Sequence, residues 1–470
     1  MRNNHLRGAS GLRVEEGEAQ GLEEGGGGAG RRSRLLRVLG VVFGMAVTVG
    51  ITVGMGILRT PGEVAAHLPE ARLFVGVWVL GGLYALLGAV SVAELGTMIP
   101  RSGGFYVFAR RALGEYPGFV VGWSDWLSTC GTIAAVSVVV GEYAGVLVPA
   151  LAGSDARVAL ALVVAFALLH WAGVRWGSRA QTLTSLIKTL AFVALIAAFF
   201  AFGGRGEWGG AGDSPPAGVV PVGLAFWTAL VLALQSVIYT YDGWYSAVYF
   251  GEEVRDPGRC VPRSMIWSVL LVTGVYVLLN VALLYVLPLS RLAGDRLAIG
   301  GAAAEIFGAR GGLVVSALAT VSMLAAVNGN TLSAPRVLYA LSRDRLFWQR
   351  ASDVNRGGTP TVALLLSTLM AVMMIVFSGT LQEIVAALSF FFVTNYTLTF
   401  ISVFVLRRRE PETPRPYRAW GYPWTTGLVL AGSVAFLAGV VANDTDNSVF
   451  ALVLLAASYP VYLLIKKFAR

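Results

Sequence analysis

Charge is what this sequence has least of. Only 13% of its 470 residues are Asp, Glu, Lys or Arg, where a soluble domain carries about 25%. With 56% hydrophobic residues and a mean hydropathy of +0.68, that shortfall excludes a soluble protein of this size. Cysteine is nearly absent. Cys130 falls in an apolar stretch and Cys260 in a loop, so they neither pair with each other nor offer metal-ligand spacing. The three histidines, His5, His67 and His170, have no second ligand nearby and read as packed or interfacial side chains. Neither a metal nor a cofactor is expected. Motifs of catalysis are missing too: there is no HExxH, GxSxG elbow or P-loop. Tyr241-Asp242 supplies half of an intramembrane aspartyl protease pair, and no later span carries the Gly-x-Gly-Asp partner. The chain does not read as an enzyme.

What remains is apolar length. A membrane span needs roughly 20 apolar residues, and hydropathy marks twelve candidates: 38–66, 72–98, 117–149, 156–174, 182–203, 219–250, 264–288, 299–328, 360–378, 382–405, 422–441 and 447–465. The third, sixth and eighth are long enough to imply tilt or re-entrance. Positive side chains resist translocation. With the N-terminus inside, 28 of the 36 Lys and Arg fall in cytoplasmic segments and six (Arg72, Arg157, Arg205, Arg291, Arg296, Arg310) on the opposite side, while Arg59 and Lys188 lie within spans. Both termini are therefore expected in the cytoplasm of a multi-pass protein of the inner or plasma membrane. Basic loops beside the cytoplasmic helix ends also explain the formal charge of +9 through contact with the lipid bilayer, without nucleic acid. Residues 1–37 are expected to be a disordered cytoplasmic tail; residues 1–30 are polar and Gly-rich, with no apolar core of the kind a signal peptide needs.

Two spans are interrupted. Residues 48–62 (TVGITVGMGILRTPG) place Gly, Thr and Pro inside the first span, and residues 239–245 (YTYDGWY) break the sixth. An unpaired amide in hydrocarbon costs several kcal/mol, so irregular backbone survives there only where it lines an enclosed cavity or binds something. Paired interruptions in two halves are the signature of a secondary transporter built from inverted repeats. Two breaks suggest one shared site.

Five blocks carry a family likeness: residues 50–62 (GITVGMGILRTPG), 93–122 (AELGTMIPRSGGFYVFARRALGEYPGFVVG), 241–262 (YDGWYSAVYFGEEVRDPGRCVP), 407–423 (RRREPETPRPYRAWGYP) and, more weakly, 328–344 (NGNTLSAPRVLYALSRD). They run in order along nearly the whole chain. By them the sequence resembles the amino acid–polyamine–organocation transporter superfamily, in the branch of L-type amino acid transporters and their bacterial homologues. The resemblance implies an all-α, LeuT-like fold of twelve transmembrane helices with spans 1 and 6 broken. Spans 1–5 (38–203) and 6–10 (219–405) would be inverted repeats, followed by spans 11 and 12 (406–470).

At the first break, Gly54, Met55 and Gly56 would free N–H groups at the start of an outer half-helix, which favours an anion such as a substrate carboxylate. Family analogues typically have a small residue at Met55, so this chain adds an apolar wall. Carbonyls released from Tyr239 through Thr240 to Asp242 would accept from an ammonium group, and by resemblance Thr52 does the same on the first span. The ligand so defined is an α-amino acid, neutral by the apolar character of the site. The resemblance also aligns Tyr239 with an aromatic that closes over the substrate from outside. Two roles are open to Asp242: contact with the substrate amine, or an Asx-type cap of the inner half-helix.

Lys188 is the only lysine inside a span. It must face the bundle and be paired, titrate, or snorkel to an interface. In the family a matching lysine stands where sodium-coupled relatives bind an ion, which implies sodium independence. It would carry a coupled proton or act as a fixed charge, with eighth-span neighbours among Ser316, Thr320 and Ser322. Glu94 with Arg101, and Glu252 and Glu253 with Arg255, Arg259 and Arg263, suit a cytoplasmic gate, though loop solvation accounts for the same charges. Animal relatives attach to a glycoprotein through a cysteine between spans 3 and 4. Residues 149–157 contain none, so no disulfide-linked glycoprotein partner is expected. The expected function is sodium-independent transport, by proton symport or exchange; a transport-dead sensor or a channel of the same fold is the alternative.

Overall fold

The computed structural model describes residues 35–204, 206, 219–295, 297–377, 381–443 and 445–468. The expected tail as far as residue 34, with His5, Arg205 and Arg296, lies outside the described residues. Among the described residues the fold is all helix, with isolated bridges such as Leu39 to Val254 in place of strands. In order, the helices are α1 (Val41–Thr52), α2 (Gly56–His67), α3 (Ala71–Met98), α4 (Phe105–Leu113), α5 (Glu115–Leu147), α6 (Asp155–Trp171), α7 (Val174–Phe202) and α8 (Leu224–Thr240). The second half holds α9 (Pro257–Val286), α10 (Leu289–Leu292), α11 (Ala298–Phe307), α12 (Gly311–Arg343), α13 (Thr361–Phe377), α14 (Leu381–Arg409), α15 (Trp424–Asn443) and α16 (Thr445–Phe468).

Apolar side chains all round most of these helices leave the backbone no partner but itself, which is why the chain is helical almost throughout. Six helical stretches among the described residues are long and apolar enough to cross a membrane: α3, α5, α7, α9, the run from α11 through α12, and residues 390–409 of α14. The pair α1 and α2, bent by 50° at its break, makes a seventh. The chain is therefore a polytopic membrane protein. α1 is wrapped by α7, α9 and α12, while α2 packs on α8, so both breaks lie inside the bundle.

The sequence boundaries need three corrections. Leu35, placed in the tail, is buried, and the backbone of Leu39 bonds to Glu253 and Arg255, because the apolar leucines of this segment cover the end of the bundle that carries those residues. The eighth span does not end at residue 328; α12 runs on to Arg343, and Arg336, read as a loop cation, is buried. Hydropathy misses this extension because Asn, Ser, Thr and Arg there face other helices rather than lipid. Finally, the sixth span does not resume as an inner α-helix. Turns at 241–245 lead into a single 3₁₀ turn, Ser246–Tyr249.

The two breaks are pressed together backbone to backbone. Gly243 has φ +103°, and a Cβ built on it would sit 2.8 Å from Ile51 Cγ2 and 3.0 Å from the Thr52 amide nitrogen. Gly56 faces Thr240 in the same way, with 3.1 Å from its virtual Cβ to Thr240 Cα. Only glycine supplies both the left-handed backbone and the missing side chain at position 243. Gly243→Ala should therefore destabilise the protein by roughly 1–3 kcal/mol, read as a lower thermal midpoint in detergent. Gly274→Ala, whose Cβ meets nothing within 4 Å, should leave the midpoint unchanged or raise it.

Candidate functional site

Helix α1 ends two turns short of a full crossing, so its last carbonyls lose their helical donors. Gly54 N–H turns back to the Thr52 carbonyl at 2.9 Å, which leaves the Gly50 carbonyl without its usual partner. Lys188 of α7 fills that vacancy. Its Nζ donates to the carbonyls of Gly50 at 2.7 Å, Val53 at 2.6 Å and Ser322 at 3.3 Å. All three ammonium donors are thereby used. Ser322 Oγ adds a second bond to the Val53 carbonyl at 2.7 Å. The lysine is 0% exposed, so it does not snorkel, and the cavity beside it, about 10 Å³, has at most the room of a single water.

The Thr52 carbonyl is held by Tyr276 of α9, whose single hydroxyl proton is shared between it, at 2.9 Å, and the Thr240 carbonyl, at 3.2 Å. One phenol thus ties the ends of α1 and α8. A bond of 2.8 Å between the hydroxyls of Thr60 and Thr240 adds a second tie. Tyr276 is fixed in turn by edge contacts with Tyr241 and Trp78, at 4.9 and 5.7 Å between ring centroids. After this accounting the Ile51 carbonyl and the amides of Met55, Gly56 and Ile57 have no partner among the described residues. Gly54, Met55 and Gly56 are partly exposed. Two kinds of orphan, an acceptor and a fan of donors at a helix start, therefore sit a few residues apart.

Thr52, Gly54, Met55, Gly56, Thr240 and Lys188 are thus gathered around one junction. Asp242 lies at its edge, partly exposed; one carboxylate oxygen accepts from Tyr245 Oη at 3.4 Å, and Oδ1 has no partner among the described residues. It does not cap a helix, since the turn that follows starts at Ser246 with no side-chain cap bond. Tyr239 is 41% exposed on the last turn of α8. Ser316 and Thr320 do not join Lys188. One turn apart on α12, they share a face, and two further residues turn the helix about 200° to present Ser322 instead.

The expected gate residues lie on the face that carries the loop arginines, with partners other than those read from sequence. Glu94, 1% exposed, is bound by Arg407 at 2.6 and 2.5 Å, by Arg415 at 3.2 Å and by the Ala419 amide at 2.8 Å, and not by Arg101. Glu252 is in contact with Arg343, and Glu253 binds Arg336 through two bonds of 2.8 Å; neither pairs with Arg255 or Arg263. Local sequence misled here because α12 brings its arginines beneath the sixth span. A cavity of about 370 Å³ opens on this basic face beside Arg101, Arg110, Arg111 and Asp344, away from the breaks.

Sequence reasoning missed Tyr276 and Asp125. A tyrosine in an apolar span is indistinguishable from core. Asp125 was detectable: a carboxylate inside the third span is as costly as Lys188 in the fifth.

Broken helices meeting inside an apolar bundle are the arrangement of a membrane transporter. The chain belongs to the amino acid permease family, whose model matches residues 35–463. It is 30% identical to the serine/threonine exchanger SteT of Bacillus subtilis, over 92% of this chain and 98% of that one. It is 27% identical to the human b(0,+)-type amino acid transporter 1, over 83% and 80%. It is also 30% identical to the mouse Asc-type amino acid transporter 1, over 83% and 74%.

Tyr276→Phe leaves the carbonyls of Thr52 and Thr240 without this donor and should cost about 1–3 kcal/mol of stability. Thermal unfolding of the detergent-solubilised variant checks this; an unchanged midpoint would mean that the phenol does not hold the junction.

Proposed function

We propose that this chain transports α-amino acids, preferentially neutral ones, across the inner or plasma membrane by sodium-independent alternating access, through exchange or proton symport. The observation that carries the reading is the junction itself. Unpartnered amides at the start of α2 suit a carboxylate, and the nearby Ile51 carbonyl suits an ammonium. A zwitterionic head group satisfies both. Relatives named as a serine/threonine exchanger and as amino acid transporters support the same substrate class.

Sodium independence rests on Lys188. Its ammonium occupies the carbonyls between α1, α7 and α12 that a metal cation would otherwise need, and two cations do not share such a cage. The twelve-span reading, with repeats over 38–203 and 219–405 and a closing pair over 406–470, is supported by breaks at equivalent places in the two halves. The positive-residue tally supports cytoplasmic termini, and so assigns the basic face to the cytoplasm. On that face Glu252 to Arg343, and Arg110 to Asp344, join the segment after α8 and helix α4 to the end of α12. Alternating access parts these contacts when the site opens inward. The lack of cysteine in residues 149–157 supports a carrier that works without a disulfide-linked glycoprotein.

In proteoliposomes, one labelled amino acid competed by a panel of about twenty should show saturable uptake inhibited best by neutral members, unchanged when choline replaces sodium. No saturable flux for any amino acid would favour a transport-dead sensor. Lys188→Ala should lower transport by roughly tenfold or more while substrate still binds, because two carbonyls lose a charged donor worth about 1.5–3 kcal/mol. Full transport activity in this variant would contradict the bracing role.

A further inference from the structure

Among the described residues Lys188 is a buried cation without an anion, and a complementary group lies elsewhere in the bundle. Asp125 of α5 is 0% exposed. Among the described residues its Oδ1 accepts a single bond, from Tyr249 Oη at 2.8 Å, and its Oδ2 is buried with no partner. Among the described residues no Lys or Arg forms an ion pair with it. Tyr249 belongs to the segment after α8, and Tyr245, one turn earlier, hydrogen-bonds Asp242. Two carboxylates and two phenols therefore line up between the helix junction and the basic face.

The groups that face Asp125 are few. The segment after α8 supplies Tyr249, with Tyr245 and Asp242 behind it, and Tyr396 of α14 packs on Tyr245. On α4 Tyr106 is engaged by Asp344, and on α12 Arg336 is engaged by Glu253. α13 carries no titratable residue. On α6, His170 is stacked on Phe166, and on α16, Tyr462 and Lys466 hold Glu115. Nothing here neutralises an ionised Asp125, and an unpaired carboxylate in a dry bundle takes up a proton instead. The rings leave little room for a larger cation: Tyr245 lies 4.5 Å from Phe105, 5.5 Å from Tyr396 and 6.0 Å from Tyr249, centroid to centroid.

We propose that Asp125 carries a proton in this conformation and releases it when the segment bearing Tyr249 leaves α5 to open the site toward the basic face. The proposal rests on the transport reading above and deepens it by assigning a proton-linked residue distinct from Lys188. Tyr249 is what links proton to movement. Its bond to Asp125 joins the segment after α8 to α5, and Gly103 N–H on the chain before α4 bonds the Tyr249 carbonyl at 3.3 Å. When these bonds part, water from the basic face reaches the carboxyl, the O–H bond breaks, and the proton leaves as hydronium while the carboxylate stays hydrated. Closing reverses each step. Acidity on the basic-face side therefore opposes opening to that side, whereas alkalinity favours it.

Two readouts test this on the full-length protein. Infrared spectra of the purified transporter should contain a carboxylic-acid C=O band that is lost in Asp125→Asn and shifted in Tyr249→Phe. Amino acid exchange in oriented proteoliposomes should slow by roughly threefold or more when the basic-face side is taken from about pH 8 to about pH 5.5, and by less than about twofold in Asp125→Asn. Identical carboxylic-acid bands in wild type and Asp125→Asn, or a wild-type pH profile in that variant, would overturn the proposal. Should Asp125→Asn fail to fold, an unshifted band in Tyr249→Phe does so instead. A wild-type protein that shows the band and moves no amino acid would sink the transport reading and leave the protonated carboxyl standing.

Discussion

The structure depends on how the carbonyl end of α1 is satisfied. A helix that stops inside a membrane leaves polar groups where no bulk water can reach them, and here particular side chains meet most of the orphaned carbonyls. Lys188 and Ser322 take the carbonyls of Gly50 and Val53, and Tyr276 takes those of Thr52 and Thr240. The amides of Met55, Gly56 and Ile57 are left over. Without the lysine, the break would leave the Gly50 carbonyl unpaired in a dry bundle and the Val53 carbonyl with Ser322 alone; with it, the break is a stable feature whose remaining vacancies have the polarity of an amino acid head group.

Charge is handled differently at the two levels of the molecule. At the junction Lys188 is surrounded by carbonyl dipoles and no carboxylate. On the basic face, acids and arginines meet directly: Glu94 with Arg407 and Arg415, Glu252 with Arg343, Glu253 with Arg336. The last pair is fully enclosed, with the Arg336 guanidinium also 4.8 Å from the Phe250 ring centroid. Paired buried charges contribute little net stability against an apolar replacement but are costly to separate. That asymmetry suits contacts that must hold one conformation and still part as a set, as a gate does. A cation solvated only by backbone suits an element that stays in place throughout.

How much was legible follows from which physical rule a residue breaks. Breaks in α1 and α8 were readable because Gly, Thr and Asp interrupt apolar runs, and Lys188 because an ammonium in a span must have a reason. The same rule applied to Asp125 would have found it. Tyr276 was not readable, since its ring obeys the apolar pattern and only the fold shows where its hydroxyl points. The choice among Ser316, Thr320 and Ser322 turned on rotation about α12, to which composition is blind. Ion-pair partners on the basic face were misassigned because nearness in sequence stood in for nearness in space, and α12 crosses beneath residues 250–256 although Arg336 lies 83 residues beyond Glu253.

The central claim is that one junction reads both ends of an amino acid head group. Binding of a transported amino acid, its methyl ester, its N-acetyl derivative and its decarboxylated amine, measured by displacement of the labelled parent, tests it most directly. The account predicts that each derivative binds at least about tenfold more weakly than the parent, since each leaves a polar group unpaired at a cost of about 1–3 kcal/mol. Equal displacement by the ester or the acetylated compound would show that the amides after Gly54 or the carbonyl of Ile51 do not hold the substrate, and would contradict it.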